Sequence, residues 1–238
     1  MKKFSFSRLT LYVTCPYRFY KKYIEGFEEP LTYPLALGKG VHKGIEMKLK
    51  GKSHDESVIA GIVEAEFHPE VTKQELSDLI NQAPIEELNG ELKIERHFEL
   101  PLSDEPDSPI LQGYIDVVGE GFIVDWKTNR ATYRVTNNHQ IGLYAWATHV
   151  LEGWQEVYGY LYFLRFQRKS EYKYTMNDME KARSWAYHLA KEIQGKINVL
   201  EKAPFLKDEL FPPQPSSACS HCPFVTECFQ KFSPIAKN

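Results

Sequence analysis

The chain has 238 residues, 42% hydrophobic, 26% charged and 13% aromatic, with 29 Lys and Arg against 32 Asp and Glu for a net charge of −3. That balance excludes a disordered or low-complexity chain and a globally basic nucleic-acid-binding arm, and suits one large globular domain. No apolar run approaches the ~20 residues that span a bilayer, and Ser5, Ser7, Arg8 and Thr10 break any signal-peptide core after Lys2 and Lys3, so the chain reads as cytosolic with no membrane partner.

Residues 1–24 hold Lys2, Lys3, Arg8, Arg18, Lys21 and Lys22, no acid, and interleaved aromatics such as Phe4, Phe6, Tyr12, Tyr17 and Phe19. Cations bind phosphate and aromatics stack on bases, so this segment is a candidate nucleic-acid face; taken alone, an amphipathic helix pair with a solvated basic face is the plainer reading. Ser7 is placed to cap a first short helix, and Pro16 suits the first turn of a second. Over 35–50, Leu37, Val41, Ile45 and Leu49 recur every four residues and predict a helix with one buried stripe. His42 and Glu46 share a face bordering that stripe. Ser53 with Glu56, and Thr72 with Glu75, have capping-box spacing and open two more helices. Gly51-Lys52-Ser53 ends like a phosphate-binding loop, but Glu46 stands where the first glycine belongs, which excludes that motor.

After a connector over 83–90 the period drops to two. Leu92, Ile94, Phe98 and Leu100 predict a strand, 101–109 an acidic loop, and 111–118 and 122–127 two further strands. A helix follows near 138–152, a β-prone run over 156–167 with a hairpin partner at 171–175, and a long helix opened by Asn177 and Glu180 that reaches about residue 200. The Pro-rich tail from 204 to 215 reads as irregular.

The chemistry concentrates in the strand pair 111–118 and 122–127. A turn at Glu120-Gly121 pairs Val118 with Ile123 and sets Asp116 opposite Asp125 and Tyr114 opposite Lys127. Side chains alternate along a strand, so Asp116, Asp125 and Lys127 share one face, and Ile115, Val117, Phe122, Val124 and Trp126 share the other. Two carboxylates facing each other across a strand pair repel. A divalent cation with oxygen ligands, Mg²⁺ or Mn²⁺, removes that conflict, and Lys127 then adds a positioned cation beside a phosphate. His42 is a candidate to complete the metal shell. The plainer reading is a surface hairpin with a Lys127–Asp salt bridge. Gln140 and Tyr144, four apart on the next helix, could orient a phosphate or base; ordinary helix packing is the alternative.

Cys219, Cys222 and Cys228 follow a C-x2-C-x5-C spacing, and Cys15 lies near the other end of the chain. In the cytosol this points to a metal site before disulfides. Four thiolates suit Zn²⁺ and a [4Fe–4S] cluster alike, with His221 a substitute ligand for zinc.

Taken in order, these segments resemble the PD-(D/E)XK nuclease superfamily, in its RecB-like branch that includes AddB C-terminal and Cas4-type nucleases. The resemblance rests on Ser7-Arg8-Leu9 with Cys15-Pro16-Tyr17-Arg18, Gly38 with His42, Gly113-Tyr-Ile-Asp116, Asp125-Trp-Lys127-Thr128, Gln140 with Tyr144, and the four cysteines. It departs at Asp125, where many relatives carry Glu. It implies an α/β, restriction-endonuclease-like core, a central mixed β-sheet flanked by helices, within one nuclease domain over 1–238. Residues 24–203 would form the core, and 1–23 with 204–238 an Fe–S element joining the two termini. His42, Asp116, Asp125 and the Trp126 backbone carbonyl would bind Mg²⁺ or Mn²⁺, and Lys127 would be the catalytic lysine. Gln140, Tyr144, Arg8 and Arg18 would handle DNA. Cys15, Cys219, Cys222 and Cys228 would hold [4Fe–4S], with Zn²⁺ the lesser alternative. The implied activity is metal-dependent DNA hydrolysis, as an exonuclease on single strands or ends, with a helicase or CRISPR adaptation proteins as partners. Cas4-type prespacer trimming and a non-catalytic DNA-binding subunit are the alternatives.

Overall fold

The computed structural model describes residues 1–232; residues 233–238, the end of the expected 204–238 element, lie outside the described residues. In chain order the elements are β1 (Lys3–Phe4), α1 (Phe6–Thr14), α2 (Pro16–Tyr23), α3 (Tyr33–Leu49), α4 (His54–Glu64), α5 (Lys73–Asn81), β2 (Lys93–Pro101), β3 (Ile110–Gly119) and β4 (Phe122–Lys127). There follow α6 (Gln140–Glu152), β5 (Glu156–Phe163), β6 (Arg168–Thr175), α7 (Met176–Lys202), α8 (Lys207–Leu210) and α9 (Val225–Phe232). No helix among the described residues is long and apolar enough to cross a membrane. Two compact units emerge: Leu31–Leu100 with Gly113–Ser184, and Met1–Pro30 with Pro101–Gln112 and residues 185–232.

In the larger unit the sheet runs β3–β4–β5–β6, and β2 also pairs with β3. The β3–β4 and β5–β6 pairs are antiparallel, whereas β4 and β5 are parallel, so the sheet is mixed. Val118 lies opposite Ile123, the register expected from the turn at Glu120-Gly121. Gly121 takes the left-handed conformation there, at φ 77°. The stripe Leu37, Val41 and Ile45 of α3 packs with Val58 of α4, with Leu76, Leu79 and Ile80 of α5, and with Val117, Val124 and Trp126 of the sheet. α6 lies over β5, where a Cβ on Gly159 would come within 2.3 Å of Ile141.

Gly40 and Gly61 let the backbones of α3 and α4 touch. A Cβ on Gly40 would fall 2.7 Å from the Gly61 carbonyl oxygen, and one on Gly61 2.6 Å from that of Gly40. Backbone cannot yield as a side-chain tip does, so Gly40→Ala is expected to cost about 1–3 kcal/mol in urea unfolding, the range for overpacking. It would also displace His42, two residues along the same helix.

Several local expectations need correction. Ser5, not Ser7, caps α1, accepting from the Arg8 N–H; Ser7 hydrogen-bonds Ser5 instead. Ser53 and Glu56 form both bonds of a capping box. Thr72 caps α5 alone, because the Glu75 carboxylate turns to Tyr33 and Arg165. The strand expected over 156–167 stops at Phe163; a 3-10 turn and Gln167 at φ 47° then reverse the chain, so β6 begins at Arg168. Asp178, not Asn177, secures the start of α7, accepting from Thr175 N–H and Oγ1.

In the smaller unit β1 pairs in parallel with the opening of β3, Lys3 with Ile110 and Phe4 with Leu111. The tail is more ordered than its prolines suggest. Phe211 is fully buried against Tyr12, Phe19 and Tyr20, and Phe224 packs against Phe27. Large aromatics thus supply burial that the Pro-rich composition hides.

Candidate active site

Asp116, Asp125 and Lys127 come together in the larger unit. The β3–β4 pairing runs from Gly119 and Phe122 to Val117 and Val124. At the next position the Asp116 carboxylate accepts the Trp126 N–H on Oδ2 at 2.8 Å. Its Oδ1 lies 3.1 Å from His42 Nδ1, which brings α3 to the strand pair. Trp126 thus positions Asp116 through its N–H.

Asp125 is 2% exposed and Asp116 7%. Lys127 Nζ lies 2.5 Å from Asp125 Oδ2 and donates to Gln140 Oε1 at 2.9 Å. Gln140 Nε2 in turn donates to Asp125 Oδ1 at 3.1 Å and reaches the Tyr144 hydroxyl at 3.3 Å. Gln140 and Tyr144 were expected to handle DNA. In the structure the Gln140 amide holds the Asp125–Lys127 pair, and Tyr144 packs edge-on against Phe98. Gly113 makes room for that contact, since a Cβ there would meet the Phe98 ring at 3.0 Å.

The electrostatics follow from burying this many charges together. Burial raises the Asp125 carboxyl pKa; Lys127 opposes the rise and Asp116 adds to it. Burial works against the Lys127 ammonium, but Asp125 outweighs it and the pKa rises. At His42 burial disfavours the imidazolium, yet Asp116, by charge and hydrogen bond, and then Asp125 push its pKa up to about 9. The imidazole is walled by protein while its open edge, 30% of the side-chain surface, faces solvent. Burial and then Asp125 also push the Tyr144 hydroxyl far up.

Sequence reasoning missed Glu95. Its carboxylate shares a space with His42 and Asp116, one ligand atom of each lying within 4.8 Å of the others. Burial first, then Asp116, raises its pKa to about 7. The period-two pattern of β2 assigns Glu95 to the solvent side, but its φ of 50° is left-handed and breaks that alternation. His42 and Glu95 line an open cavity of about 430 Å³ together with Gly38, Lys39, Lys43 and Glu64.

A divalent cation fits these residues. The carboxylates of Asp116 and Glu95 and the imidazole of His42 bring ligand atoms within 4.8 Å of one another. The donors are carboxylate oxygens and one imidazole, a set suited to Mg²⁺ or Mn²⁺.

The other expected residues lie in the smaller unit. Arg8 donates to the Lys3 carbonyl and covers the Tyr23 ring. Arg18 donates to Glu29 at 2.6 Å, Lys22 also pairs with Glu29, and Lys21 pairs with Glu25 and Glu227. Much of the basic segment's charge is therefore met by acids that lie after residue 24. The four cysteines are free thiols, each half-buried. Burial raises the Cys228 pKa, and the other three cysteines raise it further. Burial likewise raises Cys222, with smaller opposing help from the Phe224 N–H and Arg18 and an upward push from Cys15 and Cys219. The Ser216 N–H donates to Cys219 Sγ at 3.4 Å. Nothing in the described contacts places His221 among these sulfurs.

Eleven chains of solved structures resemble this one. One of them, reported as "Crystal structure of SSO0001", aligns over 99% of this chain and 87% of its own, with 16% identity and a TM-score of 0.46. No match was found among curated proteins. The family model described as the PD-(D/E)XK nuclease superfamily matches residues 3–229, nearly the full length and every residue of the site above, and the chain belongs to that superfamily.

Proposed function

We propose that the protein is a divalent-cation-dependent deoxyribonuclease, an exonuclease acting on single strands or DNA ends, serving recombination, repair or phage DNA processing. The carrying observation is the buried Asp116–Asp125–Lys127 cluster joined by His42 beside an open cavity. His42, Asp116 and Asp125, with the Trp126 carbonyl, would hold Mg²⁺ or Mn²⁺. When bound, the ion neutralises phosphate charge and lowers the pKa of water. Lys127, fixed by Asp125 and Gln140, sets an ammonium where negative charge accumulates on the scissile phosphate. The Trp126 N–H holds Asp116 in place, so the carboxylate needs no reorganisation.

The test is digestion of end-labelled single- and double-stranded DNA with Mn²⁺, Mg²⁺ or chelator. Cation-dependent shortening from ends is expected. Absence of hydrolysis with either ion would refute the assignment, while DNA binding without cleavage would favour a non-catalytic subunit. The intact acid and lysine set speaks for catalysis. Stand-alone RecB-like and Cas4-type settings, with a helicase or CRISPR adaptation proteins as partners, use this same chemistry.

The four cysteines are assigned to a [4Fe–4S] cluster. All four are free, half-buried thiols of the smaller unit. Four thiolates suit a [4Fe–4S] cluster, with one tetrahedral zinc the lesser alternative. Anaerobically purified protein should be brown, with a broad band near ~400 nm that reductant bleaches. A colourless anaerobic preparation containing stoichiometric zinc would reverse the assignment.

A further inference from the structure

We propose that Glu95 is a direct ligand of the active-site cation, completing a His42–Asp116–Glu95 set. The inference rests on the nuclease reading and extends it to a residue that the motif pattern did not supply. Three observations carry it.

The tightest donor group among the described residues is His42, Glu95 and Asp116, with ligand atoms all within 4.8 Å. Asp125 lies outside that group and is held by Lys127 and Gln140.

No hydrogen bond or ion pair to the Glu95 carboxylate is formed among the described residues, although it lies beside Asp116. Lys43 and Lys39, which line the same cavity, are spent on Glu46 and Glu66. The two neighbouring carboxylates repel, His42 hydrogen-bonds Asp116 and not Glu95, and a divalent ion meets both carboxylates.

The backbone at Glu95 is left-handed at φ 50° within a strand. A non-glycine residue held there costs of order 1–3 kcal/mol, and such strain concentrates at functional positions. Here it turns Glu95 into the cavity that His42 lines.

The experiment is Mn²⁺ titration followed by thermal shift and calorimetry on the full chain. The variants are Glu95→Gln, Glu95→Asp, Asp116→Asn and the cavity control Glu64→Gln. Circular dichroism in chelator checks that each is folded. Glu95→Gln is expected to raise the Mn²⁺ concentration for half-maximal shift by at least about tenfold, Asp116→Asn likewise, and Glu64→Gln not at all. Glu95→Asp, whose carboxylate is one methylene short, should fall between, and it decides the matter if the glutamine variant does not fold. If Glu95→Gln and Glu95→Asp titrate like the parent while Asp116→Asn loses affinity, the Glu95 assignment fails and the nuclease reading stands. Should Asp116→Asn also bind as the parent does, the cation site itself is misplaced and both fail.

Discussion

Lys127→Met and Asp116→Asn are each expected to reduce kcat on DNA by on the order of a thousandfold, with circular dichroism unchanged in Mn²⁺. Lys127 supplies the ammonium beside Asp125, in a site whose acids are nearly inaccessible to water. In such surroundings a fixed charge acts far more strongly than on a surface, because little water screens it. Methionine keeps most of the lysine's length and volume, so the loss would report charge and not packing. The same change leaves Asp125 buried without its counter-ion. Metal-free Lys127→Met should therefore be destabilised by roughly 3–5 kcal/mol, and Mn²⁺ should recover part of that. Gln140→Leu is expected to act more mildly, on the order of tenfold to a hundredfold in kcat. It removes the amide that aligns both Lys127 and Asp125 without removing either charge. Parental cleavage rates in Lys127→Met and Asp116→Asn would sink the assignment.

The second large effect is on stability. Metal-free protein should lose melting temperature as pH rises from about 5 to 9, and Mn²⁺ should restore it most at the alkaline end. The sign comes from two groups whose folded-state pKa is raised. Glu95 moves from 4.5 to about 7 and His42 from 6.5 to about 9. In both cases the folded chain binds more protons than the unfolded chain, so their contribution is full below the lower value and is lost through the higher one. Burial also raises Asp125, in the same direction. Glu29, Glu46 and Glu75 work oppositely. Burial disfavours their charge, but hydrogen bonds from Arg18 and Lys22, from Lys43 and Lys50, and from Tyr33 and Arg165 outweigh it and lower each pKa. Their contribution is present above about 4.5 and disappears in acid. The metal-free optimum should accordingly lie near pH 5–6. Binding a cation displaces the protons on His42 and Glu95, so the Mn²⁺-induced shift should be small at pH 5.5 and large at pH 8.5. Melting curves in chelator and in Mn²⁺ across this range check it. A Mn²⁺ shift independent of pH would show that these groups do not hold the ion.

Much of this molecule was legible in the linear order of residues, for identifiable reasons. The four-residue recurrence of Leu37, Val41 and Ile45 admits one buried helix face, and α3 buries it. The alternation through Ile115, Val117, Val124 and Trp126 separates an apolar face from Asp116, Asp125 and Lys127, because strand side chains can point only two ways. A turn of known length then fixes the register, and Val118 meets Ile123 as expected. The family pattern carried the same residues along nearly the whole chain.

What remained hidden depended on contacts between distant segments. Glu95 reads as a solvent-facing strand residue until a left-handed backbone turns it beside His42. Gln140 reads as a helix residue free to meet DNA until the fold brings Lys127 and Asp125 against its amide. The basic stretch at the start of the chain looks like a phosphate-binding face, yet Glu25, Glu29 and Glu227 answer much of its charge. Local periodicity is set by covalent geometry and is therefore written in the sequence. Charge pairing, desolvation and the aim of a strained side chain depend on which segments the packed core brings together, and only the tertiary structure decides them.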